Sequence, residues 1–513
     1  MTTARDSHFT KEDVCQSSFE KYINCRRSRL QITRYKIRAT NDAQTDPFRK
    51  NGQFESGGEI MWRIVIVLVI VGLCVHTAAA LDGSGTQQDP FRIDSLADFD
   101  EFATYPIYWA FHTRLETDVN LAGRTYSTAV IAPDTNNAIS WQFDGTAFTG
   151  VFDGNDHKIV NLTIDGGAGN WFLGLFGLID EGEVKNLRLE GGSVSGFYFV
   201  GRLVGANGYR DYPGGAIANC YSTGDVNGYG WVGGLVGVNY GTVSNCYSSG
   251  DVNGVVVVGG LVGFNYDRVS NCYSTGDVSG GEGVGGLVGC NYDSVSNCYS
   301  TGNVSGGEGI GGLVGCIGSL RSTGIVSNCY STGSVSGDDY VGGLVGENYN
   351  GSVLNCYSIG DANGINYVGG LVGSNGGAWF ELLIPGYVYN SYSTDSVQGA
   401  SSVGGLVGYN ECGDIKKSFW DVQTSGEPNM CGYQDEEYAT GCDPNCGKTT
   451  AEMKTRSTFT DAGWDFVEIW GIGEHQTYPY LRFAPAGDFN YDKKVDLLDL
   501  AIFADHWLEG ITP

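Results

Sequence analysis

The densest set of hard oxygen ligands in the chain lies near its C-terminus, in GDFNYDKKVDLLDLAIFADHWLEG, residues 487–510. Asp488, Asn490 and Asp492 fall at loop positions 1, 3 and 5, the Lys494 carbonyl at 7, Asp496 at 9 and Asp499 at 12. Oxygens at that spacing wrap a calcium ion, so calcium is the expected cofactor. A helix follows at once, with Leu500, Phe503, Ala504, Trp507 and Leu508 on one stripe. Lys493 stands where such loops use glycine for the sharp turn. Holding it left-handed costs roughly 1–2 kcal/mol, which predicts weak calcium binding. The alternative reading is an acidic tail followed by a helix.

Other chemistry is written as columns. Tyr221, Tyr247, Tyr273, Tyr299, Tyr330, Tyr357 and Tyr392 recur in one register. An exposed ladder of this kind grips a glycan chain, whereas an ordinary stacking ladder stabilises neighbouring coils. Asp225, Asp251 and Asp277 form a second column, continued by Asn303, Ser334 and Asp361. Carboxylates one coil apart approach the spacing of about 5–5.5 Å used by retaining glycosidases. Against catalysis on an acidic polymer, residues 214–411 hold just two basic side chains, Arg268 and Arg321. Such a substrate needs clustered cations to hold it and to stabilise developing charge. Cysteines 220, 246, 272, 298, 329 and 356 form a third column, and Ser391 in the same slot points to buried small groups rather than bridges. Cys290 and Cys316, in adjacent copies, are a candidate disulfide. Cys412, Cys431, Cys442 and Cys446 allow two disulfides by any of three pairings, or a zinc site. Export favours disulfides.

The elements that position these columns are copies of a single phrase: NCYSTG, a valine, a short variable loop, VGGLVG and an Asn. The first four cysteines are each 26 residues apart, and GGLVG begins at 233, 259, 285, 311, 342, 369 and 404. Such a period is too short for two packed helices with their turns, and the Val, Tyr, Ser, Thr, Gly and Asn content suits short strands and tight turns. The expected fold is all-β: a parallel β-solenoid, β-helix-like, with two or three strands per coil and coils about 4.8 Å apart. Glycine lacks the third-residue period of collagen, and the GG units lack the Asp of calcium-binding nonapeptides. Val243, Val269, Val295, Val326 and Val353 lie three residues before a cysteine. In a straight strand that spacing puts the two on opposite faces. If both face the core, the Asn between them marks a bend, and the Asn column is a turn ladder.

The GGLVG and NCYSTG copies resemble the GLUG-motif repeats of bacterial surface and secreted proteins. FDGNDHKIVNLTI and GKTTAEMK resemble the flanks of such repeats, so the likeness covers roughly residues 90–483. It implies an exported β-helix-like repeat domain of the kind found in adhesin-like proteins and beside some peptidases. It implies no catalytic site: the chain has no HExxH and its six histidines are scattered. The 487–510 module resembles the calcium loop of a dockerin, which implies a cohesin-like scaffold or surface partner. It departs from that pattern in having one loop instead of two, Lys493 for glycine, and Leu497 and Leu498 for polar residues.

Around the repeats, residues 61–80 read as a secretory signal peptide, with Arg63, an apolar run and a small-residue AAA ending. A type II membrane anchor is the rival reading, and for that the apolar run is short. Residues 1–60 are either a non-native extension, since the codons of residues 57–60 can spell a ribosome-binding site before Met61, or a cytoplasmic tail. Residues 81–190 form an N-terminal cap and first coils, in which Ser95 caps a helix with Leu96, Phe99 and Phe102 on one face. Residues 191–411 are the repeat solenoid. Residues 412–484 are a closing cap with a cysteine-bearing insert, and Thr449 with Glu452 makes a capping box. The full chain has 58 acidic against 30 basic residues, a net charge of −28. Such a surface repels nucleic acid and anionic membranes and suits a secreted or cell-surface protein. The expected function is non-catalytic adhesion or carbohydrate binding with calcium-dependent docking. A polysaccharide-degrading β-helix enzyme and a purely structural spacer are the alternatives.

Overall fold

Each copy closes into one coil through five short strands, not the two or three expected. In one coil they are Thr242–Ser244, Tyr247–Ser248, Val252–Asn253, Val256–Gly259 and Val262–Asn265. A left-handed residue sets the first break: Asn245, between Ser244 and Tyr247, has φ 53°, and an extended run cannot continue through that region. The computed structural model describes residues 81–136, 141–379 and 382–482. The expected leader and calcium loop lie outside the described residues.

Every strand pairs in parallel with its counterpart one copy on. Val243 faces Val269, Tyr247 faces Tyr273, Val252 faces Val278, Val258 faces Val284 and Val262 faces Val288. The ladder through Val243 runs over twelve strands, from Phe91–Ile93 to Asp414–Lys416. The segments at 173–177 and 201–205 are true first coils, since Phe176 pairs with Val204 and Val204 with Val236.

The Asn bend places valine and cysteine together. Asn219, Asn245, Asn271, Asn297, Asn328 and Asn355 all have φ of 53–54°, a conformation asparagine tolerates better than most side chains. Val243 and Cys246 are both buried as a result. The Asn side chains bond along the axis, as in Asn328 Nδ2 to Asn297 Oδ1 at 3.3 Å and Asn355 Nδ2 to Asn328 Oδ1 at 3.2 Å. Asn271→Val should therefore cost about 1–2 kcal/mol more than Asn271→Gly, read as the difference between their urea-unfolding free energies. Equal losses would contradict the turn-ladder account. A second asparagine column, at the end of GGLVG, is fully buried and bonds amide to amide: Asn207 to Asn239, Asn239 to Asn265 and Asn265 to Asn291, each at 2.8 Å. Buried amides demand such partners. Ile317 interrupts this column, and Asn291 turns instead to the Asp293 and Ile325 carbonyls.

At the N-terminal end, helix α1 (Leu96–Thr104) is capped by Ser95, whose hydroxyl accepts from the Asp98 N–H. Phe99 and Phe102 are buried, and the Phe102 ring lies 5.5 Å from Phe152. Leu96 is 37% exposed, contrary to the expected stripe, because it occupies the first turn, beyond the reach of the coil. At the other end Phe419–Asp421 completes a coil, and Cys431–Gln434 and Gly447–Lys448 continue the ladders. The helix Thr450–Met453 carries the Thr449–Glu452 capping box. The segment beyond it packs on the tyrosine column: Met453, Phe459, Trp464, Phe466 and Trp470 enclose Tyr357 and Tyr392.

Candidate functional site

The tyrosines form one stack. Successive ring centroids from Tyr221 to Tyr392 are 4.5, 4.7, 4.9, 5.0, 4.9 and 5.1 Å apart, with planes within 9° of parallel. The Arg188 guanidinium sits over the first ring at 5.4 Å. Each inner ring thus gives both faces to its neighbours, and a sugar that stacks on an aromatic face finds only edges. Burial pushes the Tyr221 and Tyr247 phenols up from their ordinary range. Tyr357 and Tyr392 are further removed as glycan contacts. They are 7% and 0% exposed, and the Tyr392 hydroxyl donates to the Pro479 carbonyl at 2.6 Å. For these two the expected glycan role is corrected, because the C-terminal segment covers them.

The aspartate column is also used lengthwise. The Asp251 N–H donates to Asp225 Oδ1 at 3.2 Å, the Asp277 N–H to Asp251 Oδ1 at 3.1 Å and the Asn303 N–H to Asp277 Oδ1 at 2.8 Å. Ser334 N–H continues to Asn303 Oδ1 at 3.2 Å. An amide oxygen serves as well as a carboxylate in this role, which explains why Asn303 shares the slot.

The cysteine column behaves likewise. The Cys246 N–H donates to Cys272 Sγ at 3.4 Å, and Cys246 Sγ lies 3.2 Å from the Ser244 carbonyl. Where serine replaces cysteine, the Cys356 N–H donates to Ser391 Oγ at 3.0 Å. These six cysteines are free thiols. Cys290 and Cys316 are bonded, with Cα atoms 4.6 Å apart, as are Cys431 and Cys442 at 5.7 Å. The expectation of a second disulfide or a zinc site among Cys412, Cys431, Cys442 and Cys446 is corrected. Cys412 is buried with its sulfur on the Gly377 and Ile384 carbonyls, at 3.3 and 3.1 Å. Cys446 is a half-buried thiol. Burial pushes both thiols up, which makes them poor nucleophiles. Among the described residues no cluster of His, Cys, Asp or Glu is arranged to hold a metal. The calcium ligands Asp488, Asn490, Asp492, Lys494, Asp496 and Asp499 lie outside the described residues.

Two features have no counterpart in the repeat pattern. One is Glu347, half-buried, whose carboxyl is pushed up to about 8 by burial and by neighbouring Glu308. The Tyr349 hydroxyl donates to its Oε1 at 3.2 Å. The other is an aromatic belt on the flank of the first coils. Trp171 and Tyr198 stack at 4.8 Å, Phe172 and Phe199 at 4.6 Å, and Trp231 meets Phe199 edge-on at 4.7 Å. These rings lie in the paired strands Trp171–Leu173, Tyr198–Gly201 and Gly230–Gly233, at positions whose residue type changes from copy to copy, so the sequence carries no signal for the belt beyond the richness in Trp, Phe and Tyr.

Comparison with known proteins agrees with the repeat reading. The GLUG motif model matches residues 228–253, 254–279, 280–305 and 337–363. Halomucin of Haloquadratum walsbyi is 34% identical over 160 residues, 31% of this chain and 2% of its own length. A protein of Evansella cellulosilytica described as a Gly-rich membrane protein is 36% identical over 157 residues, 28% of this chain and 17% of its own. This chain therefore spans a small part of either relative. The crystal structure of a protein described as an immunoglobulin A1 protease from Bacteroides ovatus covers 78% of this chain and 94% of its own, at 18% identity and a TM-score of 0.40. No helix among the described residues is long and apolar enough to cross a membrane.

Proposed function

We propose that this is an exported, surface-associated and non-catalytic repeat protein. Its solenoid acts in adhesion or carbohydrate binding, and its 487–510 module docks through calcium onto a cohesin-like scaffold or surface partner. The observation that carries the reading is the use of the repeated polar groups. The Asp225–Asp251–Asp277 column, the two asparagine columns and the cysteine column all bond from coil to coil, so the recurring polar groups are used to hold a regular scaffold together and are not gathered into a reacting centre. The net charge of −28 supports export and argues against nucleic-acid partners. Two similar proteins bear the names halomucin and Gly-rich membrane protein, and this supports a place at the cell surface.

One observation favours a second reading, a glycan-cleaving enzyme. Glu347 stays protonated at neutral pH beside Glu308, and a carboxyl held neutral is the requirement for a general acid. The docking half of the proposal is tested by titrating the purified full chain with calcium in a calorimeter. Heat for a single ion is expected, weak in affinity and abolished by Asp488→Ala with Asp492→Ala. The absence of calcium heat in the unaltered chain would remove the docking module.

A further inference from the structure

We propose that the glycan-binding face is the aromatic belt of the first coils, not the tyrosine ladder, and that it takes an extended neutral glycan on Trp141, Phe197, Tyr229 and Trp231. The inference rests on the carbohydrate-binding reading above and assigns it a place.

The orientation of the rings separates belt from ladder. In the ladder both faces of each inner ring are taken. In the belt the contacts are mixed: Trp171 stacks on Tyr198 and Phe172 on Phe199, while Trp141 meets Trp171 at 70°, Trp231 meets Phe199 at 74° and Phe197 meets Tyr198 at 90°, so the rings do not form one continuous stack. Tyr229 is 40% exposed, and Trp141, Phe197 and Trp231 are half-buried. Trp and Tyr dominate this surface, and both combine an apolar face with a polar tip, which matches a sugar ring with its C–H face and its rim of hydroxyls. Contiguous apolar surface of this kind marks an interaction site.

Several belt rings stand on left-handed backbone. Trp141 has φ 68°, Phe199 56° and Trp231 53°, values that strain a bulky side chain. The same left-handed position recurs in every later coil, held in turn by Val257, Gly283, Gly309, Tyr340, Tyr367 and Ser402. What sets the first coils apart is therefore the run of large rings at this position, Phe172, Phe199 and Trp231.

Charge selects the ligand. None of the four residues is charged, and in the strand register Glu282 and Glu308 take over beyond Val256. With a net charge of −28, the surroundings repel an anionic polymer. Rings on neighbouring coils, about 4.8 Å apart, offer a stepped platform along the axis, which favours an extended chain over a single sugar.

The test measures binding of the full chain to cellohexaose, xylohexaose, maltohexaose and anionic polygalacturonate, by tryptophan fluorescence and by retention in affinity gels. The variants are Trp231→Ala, Tyr229→Ser and, as a control, Tyr438→Ser, an exposed tyrosine at 48% outside the belt. Thermal melts establish that each variant folds. At least one neutral glycan should bind with a fluorescence change, weakened about tenfold by Trp231→Ala and several-fold by Tyr229→Ser, and unchanged by Tyr438→Ser. Polygalacturonate should not bind. Glycan binding that survives both belt variants would overturn this assignment and leave the carbohydrate reading intact. Failure of the unaltered chain to bind any neutral glycan would overturn both. A dimer that dissociates on Trp231→Ala, with no glycan effect, would make the belt a self-contact and also overturn the assignment.

Discussion

A Gly286→Val chain is expected to lose about 3 kcal/mol of stability or more, at the upper end of what overpacking a close-packed interior costs. Gly286 is the second glycine of its GGLVG unit, and a Cβ there would overlap the Gly312 carbonyl of the next coil and the Ser300 hydroxyl across the core. The nearest obstacle is backbone, so it cannot swing aside as a flexible side chain does. Gly234, Gly260, Gly312 and Gly370 face the same pair of groups, with Ser248, Ser274, Ser331 and Ser393 as the hydroxyls. In a solenoid each coil leans on its neighbours, so the damage should also lower the urea m-value by dividing the array. A melt within about 0.5 kcal/mol of the parent chain, the range of neutral surface changes, would contradict the packing described. Arg202 holds this slot in an earlier coil. There the guanidinium is buried, donates to the Gly191 carbonyl, and has its pKa pulled down to about 10 by burial.

The second large effect is a pH dependence centred on Asp395, which stands where the earlier copies have glycine, as in Gly360 of STGD-like segments. It is 1% exposed, with Oδ1 unpartnered, and burial together with neighbouring Asp361 raises its pKa well above the ordinary aspartate value of 3.8. In the fold this carboxyl keeps its proton at pH values where the unfolded chain has released it. The unfolded state then binds fewer protons, and stability falls as pH rises from about 4, by about 1.4 kcal/mol per pH unit, until the folded group ionises. Asp395→Ser should remove that slope. The expected result is a stability advantage for the variant that is small at pH 4 and grows by about 1.4 kcal/mol per unit as pH rises, until the buried carboxyl ionises. A difference between the two chains that does not change with pH would show that Asp395 titrates normally.

Much of the architecture was legible because the repeat is itself a register. Cysteines and GGLVG units spaced by one period had to stack, and the strands pair on that period, as Tyr247 with Tyr273 shows. The bend between Val243 and Cys246 was legible too, since few residues other than asparagine accept a left-handed backbone at low cost. Strand number was not legible, because pieces as short as Tyr247–Ser248 and Val252–Asn253 are too brief to show a periodicity of their own. The tyrosine column was visible, but regular spacing is the same for a ladder that exposes its faces and for one that stacks them. That Trp464 and Trp470 lie over Tyr392 depends on a segment without periodicity. Of the paired cysteines, 290 and 316 followed from adjacent coils, whereas 431 with 442 was one of three equal possibilities until the local turn fixed it.

The central claim, that the solenoid binds without cleaving, is tested most directly by incubating the full chain with calcium against plant, algal and microbial polysaccharides, scoring retained protein and released sugar ends together. The account predicts retention on at least one polysaccharide with no release, and the same outcome for Asp251→Asn and Glu347→Gln. Release of sugar ends that disappears in either variant would contradict it and make this protein an enzyme.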